Sequence, residues 1–216
     1  MTQTTKHDLS TVQKESSHMG PKYELTDEVN ADGLYRIRAL RDIPLYGVKA
    51  GDLGGWVASE GNLSQAGDAW VTDSAWVYGS ALVAGSARVY DSARVTDSAR
   101  VSGDAQVYGD AWVSGDAQVY GDAWVYATNH AFAISGKVTP NAYGVQAFRL
   151  KGGGHSLSVG CWEGTAEELS ELADSEDWPS GGGADYRAKW APSLRALAAY
   201  VQAVVATWDP AEGDEA

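Results

Sequence analysis

From Asp68 to Tyr126 the chain repeats one six-residue pattern: a small residue, a variable one, an aliphatic one, a variable one and two turn formers. Val71, Val77, Val83, Val89, Val95, Val101, Val107, Val113, Val119 and Val125 stand six apart, and two residues before each is an alanine, from Ala69 to Ala123. In an extended chain each Ala and its Val point to one side, and the residues between and after them point to the other. Each unit then closes on Gly or Asp followed by Ser or Asp, as in Asp97-Ser98 and Gly103-Asp104. Such residues accept positive φ or bond their own backbone, and so turn the chain. A helix fits neither the period nor these corners. Strands this short cannot pair as hairpins, so the chain buries its Ala and Val only by winding. Three units per coil make a prism of about 18 residues per turn that rises by roughly one strand spacing, 4.7–4.9 Å. The fold class expected is mainly β, a triangular parallel β-solenoid.

The flanks break the pattern. Leu53-Gly54-Gly55-Trp56-Val57 and Asn62-Leu63 read as degenerate coils, but Leu63 and Val71 are eight residues apart, a slip of two. Before them Tyr35, Ile37 and Ala39 alternate with polar residues, and Tyr23-Glu24-Leu25 can pair with that strand across a turn at Asn30-Ala31-Asp32-Gly33. This N-terminal β cap would cover the unpaired edge of the first coil. Downstream the repeat dies at His130-Ala131-Phe132. Val145–Leu150 and Ser156–Val159 flank Lys151-Gly152-Gly153-Gly154-His155 as a hairpin. Thr165-Ala166-Glu167-Glu168 is a capping box for a short helix to about Ala173. After Trp178-Pro179-Ser180-Gly181-Gly182-Gly183, apolar spacing at Leu194, Leu197, Val201, Val204 and Trp208 marks a second helix that Pro192 starts or kinks. The division expected is a disordered tail at 1–20, a β cap at 21–52, the solenoid at 53–135 and a C-terminal α+β appendage at 136–216.

Two resemblances follow from these residues. The hexads resemble the hexapeptide repeat of left-handed β-helices, and left-handedness is what that resemblance implies. The stretches Tyr23–Glu28, Leu34–Asp42 and Val48–Val57, the GDAxV-type hexads after them, and the tail Gly160-Cys161-Trp162-Glu163-Gly164-Thr165 resemble a family of hexapeptide-repeat proteins of bacteriophages and prophages. The resemblance spans about residues 21 to 208. It implies fold and phage origin, and it carries no catalytic residue with it.

Charge and composition narrow the function. Sixteen Lys and Arg against 29 Asp and Glu give a net charge of -13, which repels a phosphate backbone and argues against general nucleic-acid binding. No run approaches the roughly 20 apolar residues of a membrane span, and the first twenty residues carry no signal-like apolar region. A cytoplasmic location in the bacterial host is expected, with no membrane contact. The single cysteine, Cys161, excludes an internal disulfide framework.

Folded into columns three units apart, the outward positions form ladders. One stacks Trp70, Arg88, Gln106 and Trp124 beside Thr72, Tyr90, Tyr108 and Tyr126. The second stacks Trp76, Arg94 and Trp112 beside Tyr78, Thr96 and Ser114, with Arg94 placed to lie between two indoles. The third, Leu82, Arg100 and Gln118 beside Ala84, Ser102 and Tyr120, is the least aromatic. Such ladders stabilise a sheet by stacking. They are also interface chemistry, which makes Trp70, Trp76, Tyr90, Arg94, Tyr108, Trp112, Trp124 and Tyr126 the candidate partner-binding residues. Self-association is expected first, as a trimer, and a host protein second.

Arg88, Arg94 and Arg100 would belt one coil and offer a phosphate site, although salt pairing with the corner aspartates explains them as well. The aspartates read as turn formers rather than metal ligands. A hexapeptide acyltransferase needs a histidine base, and only His130 and His155 lie beyond the tail histidines His7 and His18, both expected in exposed turns. The ten hexads lack the three histidines of a zinc-dependent carbonic anhydrase. The Gly152–Gly154 run lacks the rest of a phosphate loop. The function expected is therefore a non-enzymatic, phage-derived binding protein without cofactor, an inhibitor or decoy of a host defence component. A sponge for a small signalling nucleotide and an acyltransferase are the alternatives.

Overall fold

The hexads wind as their period requires. In the computed structural model, residues 20–127, 130–134, 144–176 and 183–208 are described. The expected tail lies outside them apart from Gly20, as do its two histidines, Asn129 and the linker before Gly183. Strands β1 (Tyr23–Val29), β2 (Tyr35–Ala39) and β3 (Leu53–Val57) precede ten two-residue strands. These are β4 (Trp70–Val71), β5 (Trp76–Val77), β6 (Leu82–Val83), β7 (Arg88–Val89) and β8 (Arg94–Val95), then β9 (Arg100–Val101), β10 (Gln106–Val107), β11 (Trp112–Val113), β12 (Gln118–Val119) and β13 (Trp124–Val125). Each of the first seven pairs in parallel with the strand three units on, as Val77 with Val95 and Val95 with Val113. Three sheets result: β4-β7-β10-β13, β6-β9-β12, and β3-β5-β8-β11, the last extended by β2 and β1. All ten alanines and all ten valines of the repeat are buried between them, each valine contributing roughly 1.5–3 kcal/mol relative to exposure.

The corners explain why the fifth position of the unit is restricted to Gly and Asp. From Asp73 to Gly121 all nine such residues have φ between 55° and 69°. Corners stack closely, and a Cβ on Gly103 would come within 2.8 Å of the Gly121 nitrogen. Asp91 and Asp97 use their carboxylates in the same direction, accepting the N–H of Gly109 at 3.2 Å and of Gly115 at 2.9 Å one coil above. Turn formation is thus joined to a side-chain ladder between coils.

The backbone ladder has a polarity. Trp70, Trp76 and Leu82 donate their N–H to Ala87, Ala93 and Ala99, and the pattern repeats up the prism. Each valine N–H donates the other way, as the parallel register requires, so the N-terminal edge shows mostly carbonyls and the C-terminal edge mostly N–H groups. At the N-terminal end donors close the ladder. Lys22 Nζ reaches the Ala69 carbonyl at 2.7 Å, and Asn62 Nδ2 reaches those of Gly79 and Ala81. The expected slip is visible as pairing over twenty residues, Val57 with Val77 and Leu63 with Val83. Gly54 and Gly55 permit it, since a Cβ there would meet the Val71 carbonyl at 2.6 Å and the Ala75 carbonyl at 2.8 Å. The cap hairpin turns at Asn30–Gly33 as expected; β2 pairs antiparallel with β3, and Tyr23, Ile37 and Ala39 bury against the core of the first coils.

Beyond the repeat, β14 (Ala131–Ile134), β15 (Val145–Arg149), β16 (His155–Val159) and β17 (Trp162–Gly164) form a separate antiparallel sheet in chain order. The sequence pattern predicted its central hairpin and missed both outer strands. Helices α1 (Ala166–Asp174) and α2 (Ala184–Val205) pack on it around Val145, Leu157, Leu169, Leu194, Leu197 and Val201. Thr165 and Glu168 form the predicted capping box. Pro192 lies inside α2, which begins earlier, at Ala184, and continues past it. The sheet docks on the C-terminal edge of the prism. Ala123 bridges Leu150, and Gln146 Oε1 accepts the Gln118 N–H at 2.8 Å.

Candidate functional site

The three outward columns differ sharply in what covers them. On the Tyr90 face the chain supplies its own cover. Trp70, expected outward, is 1% exposed beneath the edge of Tyr23, whose ring lies 6.5 Å away. The cap places a ring there that no hexad encodes. Arg88 lies 4.5 Å from the Tyr90 ring and 5.3 Å from Tyr46, whose hydroxyl donates to the Ser86 carbonyl. Tyr90 and Tyr108 stack at 4.9 Å with planes 3° apart, and Tyr126 follows at 5.4 Å with its plane tilted by 36°. Burial pushes the Tyr90 hydroxyl up to about 12. At the far end Lys151 lies over Trp124, Arg149 over Tyr126, and His130 edges Tyr126 at 4.2 Å. This column holds cap, prism and appendage together and offers no open wall.

The Trp76 face is covered only in part. Cross-strand register lines up Arg36, Trp56, Trp76, Arg94 and Trp112. Arg36 lies 5.0 Å from the Trp56 ring and Arg94 4.7 Å from Trp76. Two indoles are thus shielded by guanidinium groups, which satisfy a π face while remaining hydrated. Arg94 does not form the expected sandwich; its contact is with Trp76, and Trp112 stays 47% exposed. Trp112 stands over a cleft of about 490 Å³ lined by Ser114, Gly115, Asp116, Ala131, Phe132 and Ala133. Tyr200 of α2 abuts Phe132 at 5.8 Å and is itself exposed. Phe132 and Tyr200 escaped the sequence reading, because one lies where the repeat fails and the other off the apolar stripe of its helix.

The arginine belt spreads over three faces, as three successive hexads must. Among the described residues none of the three forms an ion pair with a corner aspartate. Arg88 and Arg94 stack on rings instead, and Arg100 is exposed. On the Leu82 face Tyr120 donates to Glu163 at 3.3 Å and meets the edge of Phe148.

Neither histidine lies in an exposed turn. His130 is 2% exposed between Tyr126 and Trp208. His155 is buried at the start of α1, where its Nε2 accepts the Ala166 N–H at 2.8 Å. Burial pulls its pKa down, against the opposing pull of Glu167 and Glu168. A smaller cleft of about 320 Å³ beside it brings together Tyr120, His155, Ser156 and Glu163. There Ser156 donates to Glu163 at 2.9 Å, and the His155 Nε2 is already engaged by the backbone. Among the described residues no three His, Cys, Asp or Glu gather as a metal site.

These features define a β-solenoid repeat protein with a β cap at one end and an α+β appendage at the other. A family model described as the YdcK beta solenoid repeat matches residues 87–103 and again 105–121. The two matches begin one coil apart, the period at which the strands pair. No curated protein matches the chain.

Proposed function

We propose that this chain is a non-enzymatic binding protein that engages a protein partner at the Trp112 cleft. The observation that carries the reading is the contrast between columns. The chain buries or shields the aromatics of the Tyr90 face and two indoles of the Trp76 face, yet leaves Trp112 at 47% exposure beside Phe132. A large ring held open next to a cleft is the usual anchor of an interface. The phage resemblance of the N-terminal segments and the tail supports a partner from the bacterial host, a defence component that the protein inhibits or occupies. Homo-oligomerisation, as a trimer, belongs to the same proposal. Catalysis fits less well, since the His155 Nε2 already accepts a backbone N–H.

The test is capture from host lysate with wild type, Trp112→Ala and, as an exposed control on another face, Arg100→Ala, alongside light scattering for subunit number. A partner retained by wild type and Arg100→Ala and lost by Trp112→Ala supports the reading. The same captured set with all three overturns it.

A further inference from the structure

The Trp112 cleft lies between two sheet edges. β11 is the last strand of its sheet and pairs only with β8 among the described residues. β14 is the first strand of the appendage sheet and pairs only with β15. Residues from both strands line the cleft of about 490 Å³. The parallel register gives the free edge of β11 two N–H groups, with the Trp112 carbonyl between them. Arg94 and Thr96 donate upward to Ala111 and Val113, and the next donors in the series are the N–H groups of Trp112 and Ser114. No described carbonyl accepts either of them. Elsewhere on the same end the appendage does close the ladder, through Gln146 to the Gln118 N–H and through the Ala123–Leu150 bridge.

We infer that this cleft takes an extended peptide segment of a partner protein as an added strand, bonded to β11 on one side and β14 on the other. Two facing edges select a backbone in β conformation, since only an extended chain presents carbonyls and N–H groups alternately to both sides. Trp112 and Phe132 select an apolar side chain between them, and Ala131 and Ala133 leave it room. Asp116 on the rim, in a chain of net charge -13, selects a Lys or Arg beside that residue. A flanking strand of alternating apolar and basic residues is the complementary ligand. The inference rests on the Trp112 cleft being the binding site, and adds the mode of binding.

The full chain is used to select from a displayed library of random short peptides, with counter-selection on Trp112→Ala. Trp112 is exposed and outside the core, so that variant keeps the fold, which circular dichroism verifies. Selected peptides are synthesised in three forms: unmodified, and N-methylated at one or the other set of alternate amides. Binding is read by fluorescence polarisation. The expected result is a consensus of alternating apolar residues with a Lys or Arg, weakened about thirtyfold or more by Trp112→Ala and abolished by either methylation set, since each blocks one of the two edges. No survivor of the counter-selection overturns both this inference and the binding reading. Peptides that need Trp112 but tolerate either methylation set overturn strand addition between the two edges and leave the binding reading standing. A Trp112-dependent dimer in light scattering, with no peptide bound, makes the occupant a second copy and overturns the inference.

Discussion

The corner at Asp97 separates two contributions that the repeat normally merges. Asp97 has φ 59° and its carboxylate accepts the Gly115 N–H at 2.9 Å, eighteen residues on. Asp97→Gly keeps the left-handed backbone free of strain and removes the hydrogen bond, which at an exposed corner costs about 1 kcal/mol. Asp97→Ala removes the same bond and forces a residue with a Cβ, and no polar group to bond locally, into that conformation, for about 1 kcal/mol more. Asp97→Asn retains both an acceptor and tolerance of positive φ, so it stays near wild type. The expected order is therefore wild type, Asn, Gly, Ala. Denaturant unfolding of the full chain, followed by far-ultraviolet circular dichroism, measures the midpoints, and the slope converts them to free energies. If Ala is as stable as Gly, the left-handed corner is not what restricts this position. If Asn falls as far as Gly, the bond to Gly115 contributes nothing.

The core and the appendage give two further tests. Val101 is fully buried in the middle of the prism, so Val101→Ala costs about 2 kcal/mol by lost burial and a residual cavity. The adjacent exposed Arg100→Ala stays within about 0.5 kcal/mol, and thermal melts of the two variants compare them directly. His155 is buried with its pKa below the ordinary 6.5, so below that pH the unfolded chain binds more protons than the folded one. Its contribution to stability is present above pH 6.5 and is lost as pH falls through the lowered folded value. Protonation must also break the Ala166 N–H bond. Unfolding midpoints from pH 8 to pH 5 are thus expected to fall in wild type, and more shallowly in His155→Asn; equal slopes would remove His155 as the cause.

Local chemistry was readable where one short segment decides its own conformation. The Ala-Val spacing gave the dry interior, the Gly or Asp corner the turn, Asn30–Gly33 the hairpin, and Thr165 with Glu168 the helix start. Alternation says which side of a strand faces out, and nothing about what arrives later to cover it. Trp70 reads as outward in every respect, and Tyr23, forty-seven positions earlier, buries it. His130 and His155 look like loop histidines because the residues that enclose them, Trp208 among them, stand far along the chain. The Trp112 cleft was half legible. Trp112 follows from the period, whereas Phe132 and Tyr200 join it through the docking of a sheet and a helix that the hexads do not specify.

A solenoid of this kind is closed along its length and open only at its ends, since every inner strand has a neighbour above and below. The two ends differ in balance: the parallel register leaves more carbonyls than N–H groups at the first coil and more N–H groups than carbonyls at the last, because two N–H groups of each short strand donate towards the C-terminal end for each valine N–H that donates back. Donors finish the carbonyl end, and Lys22 and Asn62 supply them from buried positions. At the other end Gln146 supplies an acceptor to the Leu82 face, and the Lys151 N–H donates to the Asp122 carbonyl. On the Trp76 face β14 passes beside β11 without pairing to it, and the cleft of about 490 Å³ lies between them. Had β14 paired there, the prism would have gained a further strand and Trp112 a neighbour in its column. The same displacement that exposes the indole therefore leaves the backbone donors of Trp112 and Ser114 beside it, so an apolar anchor and an unfinished ladder meet at one place on the molecule.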